Sequence, residues 1–465
     1  MQKRFLEPLV RSFFFQAVEK NGQVFIWHSL FGHPKIISSE TFRFLDEFRQ
    51  PKSLSQVATE YGTGVEDLTA LEDLINGYFL VPSSLDEREL LVQRVVARNE
   101  AVTSGALIDY LELIMSEACN LRCQYCIHFN NLETSDRLNS PKKFMTFQTA
   151  RETVDAYLRI LRVHGKRVAE VNFGGGEPLL AWPVIKQFLE YCTLVYGGEF
   201  EFSFSINTNA TLMTPEIART LKEYRVSPAV SLDGLQKGND KVRVTRTGKG
   251  TFLPIVNGME TLVQADYPLD GFAVTITEWN FGDLDERFID WAVERGMNEV
   301  RIDIDVIDIV DVPVTDIIGK LMRIRRYAKS RGVEIPGFWS RAFENLNGSA
   351  LEEHVAFCGA VRGNSICVSP SGKIYGCGYS TTQLGTLAEI AEFYKAGGAY
   401  HRFVQHRVTG AMEMCKGCMI EGQCGGGCNI TQEFARATRI DKIERMCEFY
   451  RGMMQELVHE QLLES

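Results

Sequence analysis

Three cysteines stand within eight residues of one another in the first third of the chain, at Cys119, Cys123 and Cys126. The spacing CxxxCxxC places three thiolates on one short loop, and three thiolates can hold three irons of a [4Fe–4S] cluster. The fourth iron would then lack a protein ligand and would be open to a small molecule. A zinc knuckle is the alternative interpretation, but zinc takes four ligands, and the nearest fourth candidate is His128.

A second group holds eight of the 12 cysteines and lies in the last quarter of the 465-residue chain. Its members are Cys358, Cys367, Cys377, Cys415, Cys418, Cys424, Cys428 and Cys447, and the last five follow the pattern CxxC-x5-C-x3-C-x18-C. Cys192 stands apart in a helical pattern, which is typical of a small buried hydrophobic residue. Because 12 cysteines are too few for a disulfide scaffold, their grouping indicates bound metal. Zinc would also accept the CxxC pairs.

The composition excludes several classes of protein. The formal net charge is −10, which argues against a protein that binds nucleic acid through phosphate contacts. Residues 1–6 lack the apolar run of a signal peptide, and no window approaches 18 consecutive apolar residues, so we expect no membrane span. The sequence therefore predicts a cytoplasmic protein, in a compartment where grouped cysteines bind metal.

The elements that must position the first cysteines follow an α/β pattern over residues 106–340. We expect six strands, at Tyr110–Met115, Ala169–Phe173, Glu201–Ile206, Pro228–Leu232, Gly271–Thr277 and Glu299–Ile304. Amphipathic stretches alternate with them, at Phe147–Val163, Pro178–Tyr196, Pro215–Tyr224, Phe252–Gln264 and Asp283–Arg295. Six repeats predict a partial (β/α)6 barrel or an open parallel sheet. Residues 341–465 lose this alternation and end in a helical pattern over Asp441–Leu463.

Polar motifs follow four of these strands at their carboxyl ends, the face on which β/α barrels carry out chemistry. The cysteine loop follows the first strand. Gly174–Pro178, Ser205–Ala210 and Ser231–Gly234 end the second, third and fourth strands. We therefore expect all four motifs to meet at one end of the barrel.

The cysteine loop resembles the cluster motif CxxxCxΦC of the radical S-adenosylmethionine (SAM) superfamily, with Tyr125 as the aromatic residue. The resemblance implies that the open iron chelates the amino and carboxylate groups of SAM. An electron from the cluster then cleaves SAM to methionine and a 5′-deoxyadenosyl radical. The run from Gly174 matches the family's GGEP motif. This match implies that Gly175 and Gly176 let the backbone approach SAM and that Glu177 accepts a hydrogen bond from its ammonium group.

The later motifs extend the resemblance. Ser205–Ala210 is similar to the family segment S-x-x-T-N-G/A, which places Asn207 near SAM. In the relatives, a serine and an arginine at the positions of Ser231 and Arg243 approach the SAM carboxylate, which suits the guanidinium fork. Tyr125 would border the adenine. The alternatives are a packing role for Tyr125 and a surface salt bridge for Arg243.

The last strand carries Arg301, Asp303 and Asp305 at every second position, so the three charges share one face. They line the cavity and meet substrate, or else they form a solvated strand end. The catalytic base remains unidentified at this point.

The C-terminal cysteines match the pattern of the SPASM domain, with Gly372 five residues before Cys377. The match implies a domain over 341–465 with two auxiliary [4Fe–4S] clusters, and so three clusters in the chain. By analogy the first auxiliary cluster uses Cys358, Cys377 and Cys428. Cys367 is extra to the seven-cysteine pattern and lies in the correct stretch to be the fourth ligand. Full ligation favours electron transfer, whereas an open position would allow substrate to bind at iron. The second auxiliary cluster uses Cys415, Cys418, Cys424 and Cys447.

Residues 1–85 contain no cysteine and predict a small winged-helix-like α+β domain. Strand patterns over 13–18 and 24–28 flank the hairpin signal Lys20-Asn21-Gly22, and 34–37 is a third, short strand. A helix capped at Ser39 and helical patterns over 54–61 and 65–80 follow. This order of elements resembles the recognition element of enzymes that mature ribosomally made peptides, which binds a leader peptide as an added strand. A structural cap is the alternative. Residues 83–104 are charged and helical or linker-like, and residues 86–105 are expected to be the linker to the next domain.

These resemblances together imply a radical SAM oxidoreductase that installs an intramolecular thioether or carbon–carbon cross-link in a precursor peptide. Its partners would be the precursor with its leader and an external electron donor of the flavodoxin or ferredoxin type. Alternatives are single-residue oxidation, epimerisation or formylglycine formation. A peptide-binding iron–sulfur electron carrier is the non-enzyme alternative. Anaerobic sulfatase maturases carry an aspartate directly after the second SPASM cysteine, whereas Cys377 is followed here by Gly378-Tyr379.

Overall fold

The N-terminal part of the chain is a small antiparallel sheet with short helices. A computed structural model describes residues 7–61, 71–127, 143–305, 311–346, 356–407, 410–438 and 440–464. The first five strands are β1 (Leu9–Arg11), β2 (Phe15–Lys20), β3 (Gln23–His28), β4 (Gly32–Ser38) and β5 (Leu80–Pro82). Strands β2, β3 and β4 form an antiparallel meander. Asn21 and Gly22 both have positive φ, at 53° and 81°, as a tight two-residue hairpin turn requires.

Helices α1 (Ser39–Leu45), α2 (Leu54–Tyr61) and α3 (Glu72–Asn76) follow the meander. The cap of α1 is Ser38 rather than Ser39, because the Ser38 hydroxyl accepts the Thr41 N–H at 3.0 Å. The predicted order of three strands and three helices is present, although part of the last predicted helical stretch lies outside the described residues. The pairing of β1 with β5, which ties the beginning of this domain to its end, was not predicted.

The segment expected to be a linker is an 18-residue helix, α4 (Glu87–Ser104). Its first turn is capped by Asp86, whose side chain accepts the backbone N–H groups of Arg88 and Glu89 at 2.9 and 3.0 Å. Gly105 ends it with a φ of 79°, a conformation that favours glycine. The boundary between the N-terminal domain and the barrel is thus a capped helix rather than an irregular linker.

The central part is a partial β/α barrel, as predicted. Its strands are β6 (Tyr110–Ser116), β7 (Val168–Gly175), β8 (Glu201–Thr208), β9 (Ser227–Val230), β10 (Gly271–Ile276) and β11 (Glu299–Ile304). Its helices are α5 (Phe147–Val163), α6 (Trp182–Tyr196), α7 (Pro215–Glu223), α8 (Gln236–Val242), α9 (Phe252–Gln264), α10 (Arg287–Val293) and α11 (Val314–Ser330). All neighbouring strands pair in parallel. A bridge from Ser231 to Ala273 joins β9 to β10.

The barrel sheet continues into the cysteine-rich region. Strand β12 (Ser365–Val368) pairs in parallel with β6, and β13 (Lys373–Tyr375) and β14 (Gly385–Thr386) extend the sheet in antiparallel fashion. The region that was expected to begin a separate domain at residue 341 therefore shares hydrogen bonds with the first barrel strand. This junction was not predicted from the sequence.

The two faces of the barrel strands differ in polarity and exposure. Residues that face the helices are apolar and buried, as Val274 and Ile302 illustrate. Residues of the opposite parity face the inside of the barrel, which we call the lumen. Several of them are polar and partly exposed, among them Glu112, Asn207, Ser231, Thr275 and Arg301. Because a polar inner face cannot form a dry core, the lumen is the place where this fold can take up a ligand.

Short helices and one long helix complete the chain. They are α12 (Arg341–Glu344), α13 (Gly359–Arg362), α14 (Ala399–Gln405), α15 (Glu421–Cys424), α16 (Asn429–Thr438) and α17 (Ile440–Glu464). Helix α17 corresponds to the predicted closing helix, and it packs against α11 of the barrel. Within the parts of the chain that the structure describes, no helix combines the length and the apolar character needed to cross a membrane.

Candidate active site

The loop of Cys119, Cys123 and Cys126 is held at the carboxyl end of β6 by the segment that follows α8. The Arg122 N–H donates to the Val244 carbonyl at 2.7 Å, and the Gln124 N–H donates to the Val242 carbonyl at 2.9 Å. Backbone bonds of this kind hold the loop in one conformation, independent of its side chains. The predicted position of the loop at the strand end is therefore what the structure shows.

The three thiols of this loop share an environment that is poor in water. Burial, together with the neighbouring Glu177, Cys123 and Cys126, raises the pKa of Cys119 to about 12, although the Leu121 N–H lowers it. The Leu121 N–H donates to Cys119 Sγ at 3.4 Å. Thiolates persist in such a place only when a bound cation compensates their charge. These residues therefore fit an iron–sulfur cluster.

A single metal ion fits the cysteines less well. Among the described residues, no group of three or more His, Cys, Asp and Glu side chains is arranged to hold one ion. A cluster spreads its ligands over several irons, so its thiolates lie farther apart than those around one zinc ion. His128, the fourth candidate for a zinc site, lies outside the described residues.

Tyr125, Asp233 and Arg243 form a buried network beside the cysteine loop. Asp233 Oδ2 accepts the Tyr125 hydroxyl at 2.7 Å and lies 2.8 Å from Arg243 Nε. Asp233 Oδ1 accepts the Thr275 N–H at 2.8 Å. Arg243 Nη1 reaches Cys123 Sγ at 3.9 Å. Arg243 is thus a buried partner of the cysteine loop, and the surface salt-bridge alternative is wrong.

Asp233 was not among the predicted site residues, although it stands inside the motif that follows the fourth strand. The signal was present in the sequence, because a carboxylate next to a strand end supplies a counter-ion for a nearby arginine. The carboxylate is fully buried. Its contacts orient both Tyr125 and Arg243, so the predicted residues depend on one that was overlooked.

Glu177 connects the ends of the second and third strands. Its Oε1 accepts the Thr208 hydroxyl at 2.7 Å and the Leu179 N–H at 3.1 Å, and its Oε2 accepts the Asn209 N–H at 2.8 Å. Burial raises the pKa of this carboxyl to about 6, even though the three hydrogen bonds lower it. A carboxylate offers about four acceptor positions. Three of these positions accept the hydrogen bonds from Thr208, Leu179 and Asn209, and one is left for a ligand.

The glycines before Glu177 allow two backbone segments to touch. Gly175 has a φ of 113°, and a Cβ atom built on it would lie 2.3 Å from the Ser116 carbonyl oxygen. A Cβ atom on Gly176 would lie 2.4 Å from the Ala118 carbonyl oxygen. Side chains at these positions would therefore push the end of β7 away from the cysteine loop. Close packing against the Ser116–Ala118 backbone therefore requires glycine at these two GGEP positions, in addition to the predicted approach of the backbone to SAM.

The other two predicted SAM contacts face the lumen. Asn207 is exposed and Ser231 is half-buried, and the Ser231 N–H donates to the Thr208 carbonyl at 3.1 Å. The structure thus brings every predicted SAM contact to the same end of the barrel as the cysteine loop. Their roles toward SAM remain predictions.

Three of the C-terminal cysteines gather next to the first cysteine loop. Burial is the main cause that raises the pKa of Cys377 well above its usual range, and Cys358 and Cys428 add to the shift. Cys377 and Cys428 pack against an apolar cluster formed by Ile127, at the end of the Cys119 loop, and Ile430. The first predicted auxiliary set therefore adjoins the SAM loop.

Cys367 lies in the sheet that continues from the barrel. It is buried in β12, directly opposite Glu112 of β6, and packs with Ile114 and Tyr375. The Glu112 carboxylate in turn accepts the Gly378 N–H at 3.0 Å. Cys367 thus faces the side of the sheet where Glu112 meets the loop after Cys377. Its role as the fourth ligand stays a prediction.

The second predicted auxiliary set gathers at the N-terminal domain. Burial raises the pKa of Cys415 to about 12, and Cys447 and Cys418 contribute. Burial also raises the pKa of Cys424, with the same three cysteines adding to the shift. These four residues therefore form one group. Cys192 is fully buried in the barrel core, in agreement with the predicted packing role.

Tyr379 occupies a position between the two cysteine groups that the sequence did not reveal. Its ring is half-exposed, and it lies within electrostatic reach of Glu112, Cys126 and Cys377. Gly378-Tyr379 follow Cys377 at the place where sulfatase maturases carry an aspartate. The Tyr379 phenol therefore lies near the junction of the two cysteine groups. The sequence did offer a signal for this residue, because Tyr379 stands only two positions after Cys377.

The charged face of the last strand lines the lumen. Arg301 Nε lies 2.8 Å from Asp303 Oδ2, and Asp303 Oδ1 accepts the Phe338 N–H at 2.5 Å. Asp305 is buried. These contacts favour the cavity-lining interpretation over the solvated strand end.

Comparisons with known proteins agree with this geometry. The family model described as "Radical SAM superfamily" matches residues 113–292. The radical SAM cyclopropyl synthase TigE of Paramaledivibacter caminithermalis is 21% identical, over 97% of this chain and 96% of its own length. The mycofactocin maturase MftC of Mycolicibacterium smegmatis is 26% identical, over 69% of this chain and 78% of its own.

Two solved structures share the fold. The structure "Native anSMEcpe with bound AdoMet and Cp18Cys peptide" has a TM-score of 0.60 at 18% identity, covering 76% of this chain and 98% of that one. Streptococcus suis SuiB bound to its precursor peptide SuiA has a TM-score of 0.50 at 15% identity, covering 91% and 96%. Residues 113–292 thus match the radical SAM superfamily, and over most of its length the chain is similar to radical SAM enzymes of the SPASM peptide-maturase group.

Proposed function

We propose that this enzyme modifies a ribosomally made precursor peptide by joining two of its atoms with net loss of two hydrogens. The observation that carries the proposal is the apolar cluster of Ile127, at the end of the SAM loop, and Ile430, against which Cys377 and Cys428 of the first auxiliary set pack. The two cofactor sites then adjoin one lumen, which suits an oxidation that begins at one and ends at the other. When bound, SAM and its cluster would supply a 5′-deoxyadenosyl radical for abstraction of one hydrogen atom. The cysteines of the auxiliary sets would hold an acceptor for the second electron, and the second hydrogen would leave the peptide as a proton to solvent.

Seven residues of the barrel would bind SAM. Glu177 would accept the ammonium group with its remaining lone pair, beside backbone from Gly175 and Gly176. Arg243, held by Asp233, would face the SAM carboxylate together with Ser231. Asn207 and Tyr125 would border the rest of the cofactor. The buried Asp233 keeps Arg243 in one orientation, so the guanidinium is preorganised before SAM binds.

The eight C-terminal cysteines would hold two auxiliary [4Fe–4S] clusters. We assign Cys358, Cys367, Cys377 and Cys428 to the first and Cys415, Cys418, Cys424 and Cys447 to the second. The separation of the two groups in the structure supports this division. Full ligation by thiolates favours electron transfer over substrate binding at iron.

The N-terminal domain would bind the leader of the precursor peptide, and an external flavodoxin- or ferredoxin-type protein would supply electrons. TigE aligns over nearly the whole chain, including this domain, and SuiB was solved with its precursor peptide bound. The meander ends in β4, an outer strand of its sheet, and outer strands can accept an added strand. These observations support peptide recognition by the N-terminal domain, residues 1–85.

The bond formed is the finer part of the proposal. The name of TigE, a cyclopropyl synthase, favours carbon–carbon bond formation over a thioether. Formylglycine formation is the second candidate, favoured by the anSMEcpe fold. Gly378-Tyr379 after Cys377 argues against it, because the aspartate of those maturases is missing.

The test is a mass measurement on the precursor peptide. The reconstituted enzyme, SAM and a reductant should lower the peptide mass by two hydrogens, and fragmentation should locate both losses within one bridged segment. The matched control replaces Cys119, Cys123 and Cys126 by Ala, which should abolish both the mass change and deoxyadenosine formation. Unchanged mass would indicate epimerisation, and a single-residue aldehyde would indicate the formylglycine reaction. Either result would overturn the cross-link.

A further inference from the structure

Two guanidinium groups lie against one aromatic ring at the rim of the lumen. Arg301 Cζ is 4.7 Å and Arg341 Cζ is 4.6 Å from the centroid of the Phe338 ring. The two cationic carbons are therefore no more than about 9.3 Å apart. Each contact is favourable as a cation–π interaction, but two like charges at this separation disfavour each other unless an anion lies near both.

Only one carboxylate serves this pair. Asp303 lies 2.8 Å from Arg301, and its second oxygen accepts the Phe338 N–H. Arg341 donates from Nη1 to the Phe357 carbonyl at 2.9 Å. Within the described residues, no carboxylate forms an ion pair with Arg341. The rim therefore carries an excess positive charge, in a chain whose formal net charge is −10.

The backbone presents this pair to the lumen. Arg301 and Asp303 share the inner face of β11 with Ala273 and Thr275 of the paired strand β10. The Phe338 ring is half-buried. The segment before it runs along β11, because the Ile302 N–H donates to the Pro336 carbonyl at 2.9 Å. A substrate in the lumen would thus meet the ring and both guanidinium groups.

We propose that Arg301 and Arg341 form a carboxylate-binding site for the substrate peptide, occupied by an acidic side chain or by the peptide's C-terminal carboxylate. The proposal rests on the proposed function, because it takes the lumen as the place where the peptide reacts. A guanidinium fork matches the two oxygens of a carboxylate. The Phe338 ring packs against both guanidinium groups, and Asp303 orients that of Arg301. The two arginine side chains therefore lose little conformational entropy when the carboxylate binds.

A nearby iron–sulfur cluster is the competing source of negative charge. Asp303 interacts electrostatically with Cys428. Tyr450 interacts electrostatically with both Arg341 and Cys428, so Arg341 lies in the same neighbourhood. If Arg341 served only to compensate the charge of that cluster, its removal would change the cluster potential and leave carboxylate binding intact. The experiment must separate these two roles.

The experiment compares the reconstituted wild-type enzyme with R301Q and R341Q. The matched control is R295Q, because Arg295 lies 4.0 Å over the ring of Trp291 on helix α10. Binding of three probes is measured by NMR: N-acetylglutamate amide, which has only a side-chain carboxylate, N-acetylglutamine, which has only a C-terminal one, and the neutral N-acetylglutamine amide. The wild type and R295Q should bind one charged probe at least tenfold more tightly than the neutral probe. The probe that is preferred identifies the source of the carboxylate.

R341Q and R301Q should bind charged and neutral probes within about twofold of each other. Equal binding of all three probes by the wild type would overturn the proposal. Retained discrimination in both variants, with a shifted midpoint potential of an auxiliary cluster by EPR titration, would also overturn it and assign Arg341 to the cluster. Probe binding requires no turnover. Failure of the cross-linking reaction on precursor peptide would therefore leave this measurement unaffected, so the two proposals fail separately.

Discussion

The Asp233 carboxylate determines the positions of two side chains that the motifs associate with SAM. Tyr125 and Arg243 were predicted individually from the cysteine motif and from the motif after the fourth strand. Their mutual contact was not predicted, because it depends on how two loops from different strands meet above the lumen. Sequence motifs identify residue types at strand ends, whereas the third partner is found only once the loops are placed.

Replacing Asp233 by Asn should strongly destabilise the SAM site. The amide keeps the size but leaves the buried Arg243 without a counter-ion, a loss of about 3–5 kcal/mol for a buried pair. We expect an earlier unfolding transition in denaturant and at least a tenfold loss of deoxyadenosine formation.

The matched control for this substitution is Asp266→Asn, an exposed carboxylate paired with Lys222 at 2.7 Å. Exposed pairs contribute about 0–1 kcal/mol, so D266N should behave as the wild type. Superimposable unfolding curves for D233N and D266N would contradict a structural role for Asp233.

His28 gives the N-terminal domain a pH-dependent contact. Burial lowers its pKa, although the Glu87 partner at 2.7 Å opposes the shift. His28 Nδ1 accepts the N–H groups of Leu30 and Phe31 at 3.2 and 3.1 Å, so a proton on Nδ1 would break both bonds. Because the folded pKa lies below the unfolded one, the stabilisation is present above about pH 6.5 and is lost as the pH falls toward the folded pKa.

Amide hydrogen exchange checks this prediction. Protection of the Leu30 and Phe31 amides, corrected for intrinsic rates, should fall as the pH is lowered from 7.5 toward 5.5. His28→Gln should remove this pH dependence. His459→Gln, at a half-exposed residue of α17, should retain it. Protection that stays constant in the wild type below pH 6.5 would refute the titration of His28.

At the scale of elements, the contacts of helix α4 were not predicted. Its charged residues were interpreted as a helical or linker-like boundary, because their partners lie far away in the sequence. Arg88 donates two hydrogen bonds to Glu421, both of 2.9 Å, and these residues are 333 positions apart. Hydrophobic period and capping residues predict that a helix forms, but they do not tell which distant surface it contacts. The barrel strands were predicted well because their alternation is local.

The contact of the N-terminal domain with the loop of Cys418 and Cys424 leads to a prediction at this scale. The Gly422 N–H donates to the Ser29 carbonyl at 2.7 Å, and the Glu421 carboxylate is fully buried. Arg88→Ala should leave this carboxylate without its cation, at a cost of about 1.5–3 kcal/mol for a hydrogen bond to a charged group. We expect faster loss of iron from the second auxiliary set to a chelator.

Arg326→Ala is the control for Arg88→Ala, because Arg326 also pairs with a glutamate, Glu456 at 3.5 Å, but on the surface. Its rate of iron loss should equal that of the wild type. If R88A released iron no faster than R326A, the N-terminal domain would have no influence on the second auxiliary set.

For the whole molecule, the division of cysteines into three groups predicts the iron content. Three [4Fe–4S] clusters correspond to about twelve irons per chain. Replacing Cys415 and Cys418 together by Ala should remove about four of them, and the Cys119 loop should still support SAM cleavage. A wild-type content of about four irons would contradict both auxiliary clusters. Cys192→Ala, in the barrel core, should leave the iron content unchanged.

Strand β12 has a consequence for how the chain is made. It covers the free side of β6 by pairing with Tyr110 to Leu113, yet it is synthesised about 250 residues later. Until then a nascent barrel exposes an unpaired strand edge, a site at which chains join to one another. A product that stops at residue 340 should therefore aggregate in the cell, whereas one that ends after β14 should escape this fate. The time between translation of these two strands is the interval in which the chain most needs a chaperone.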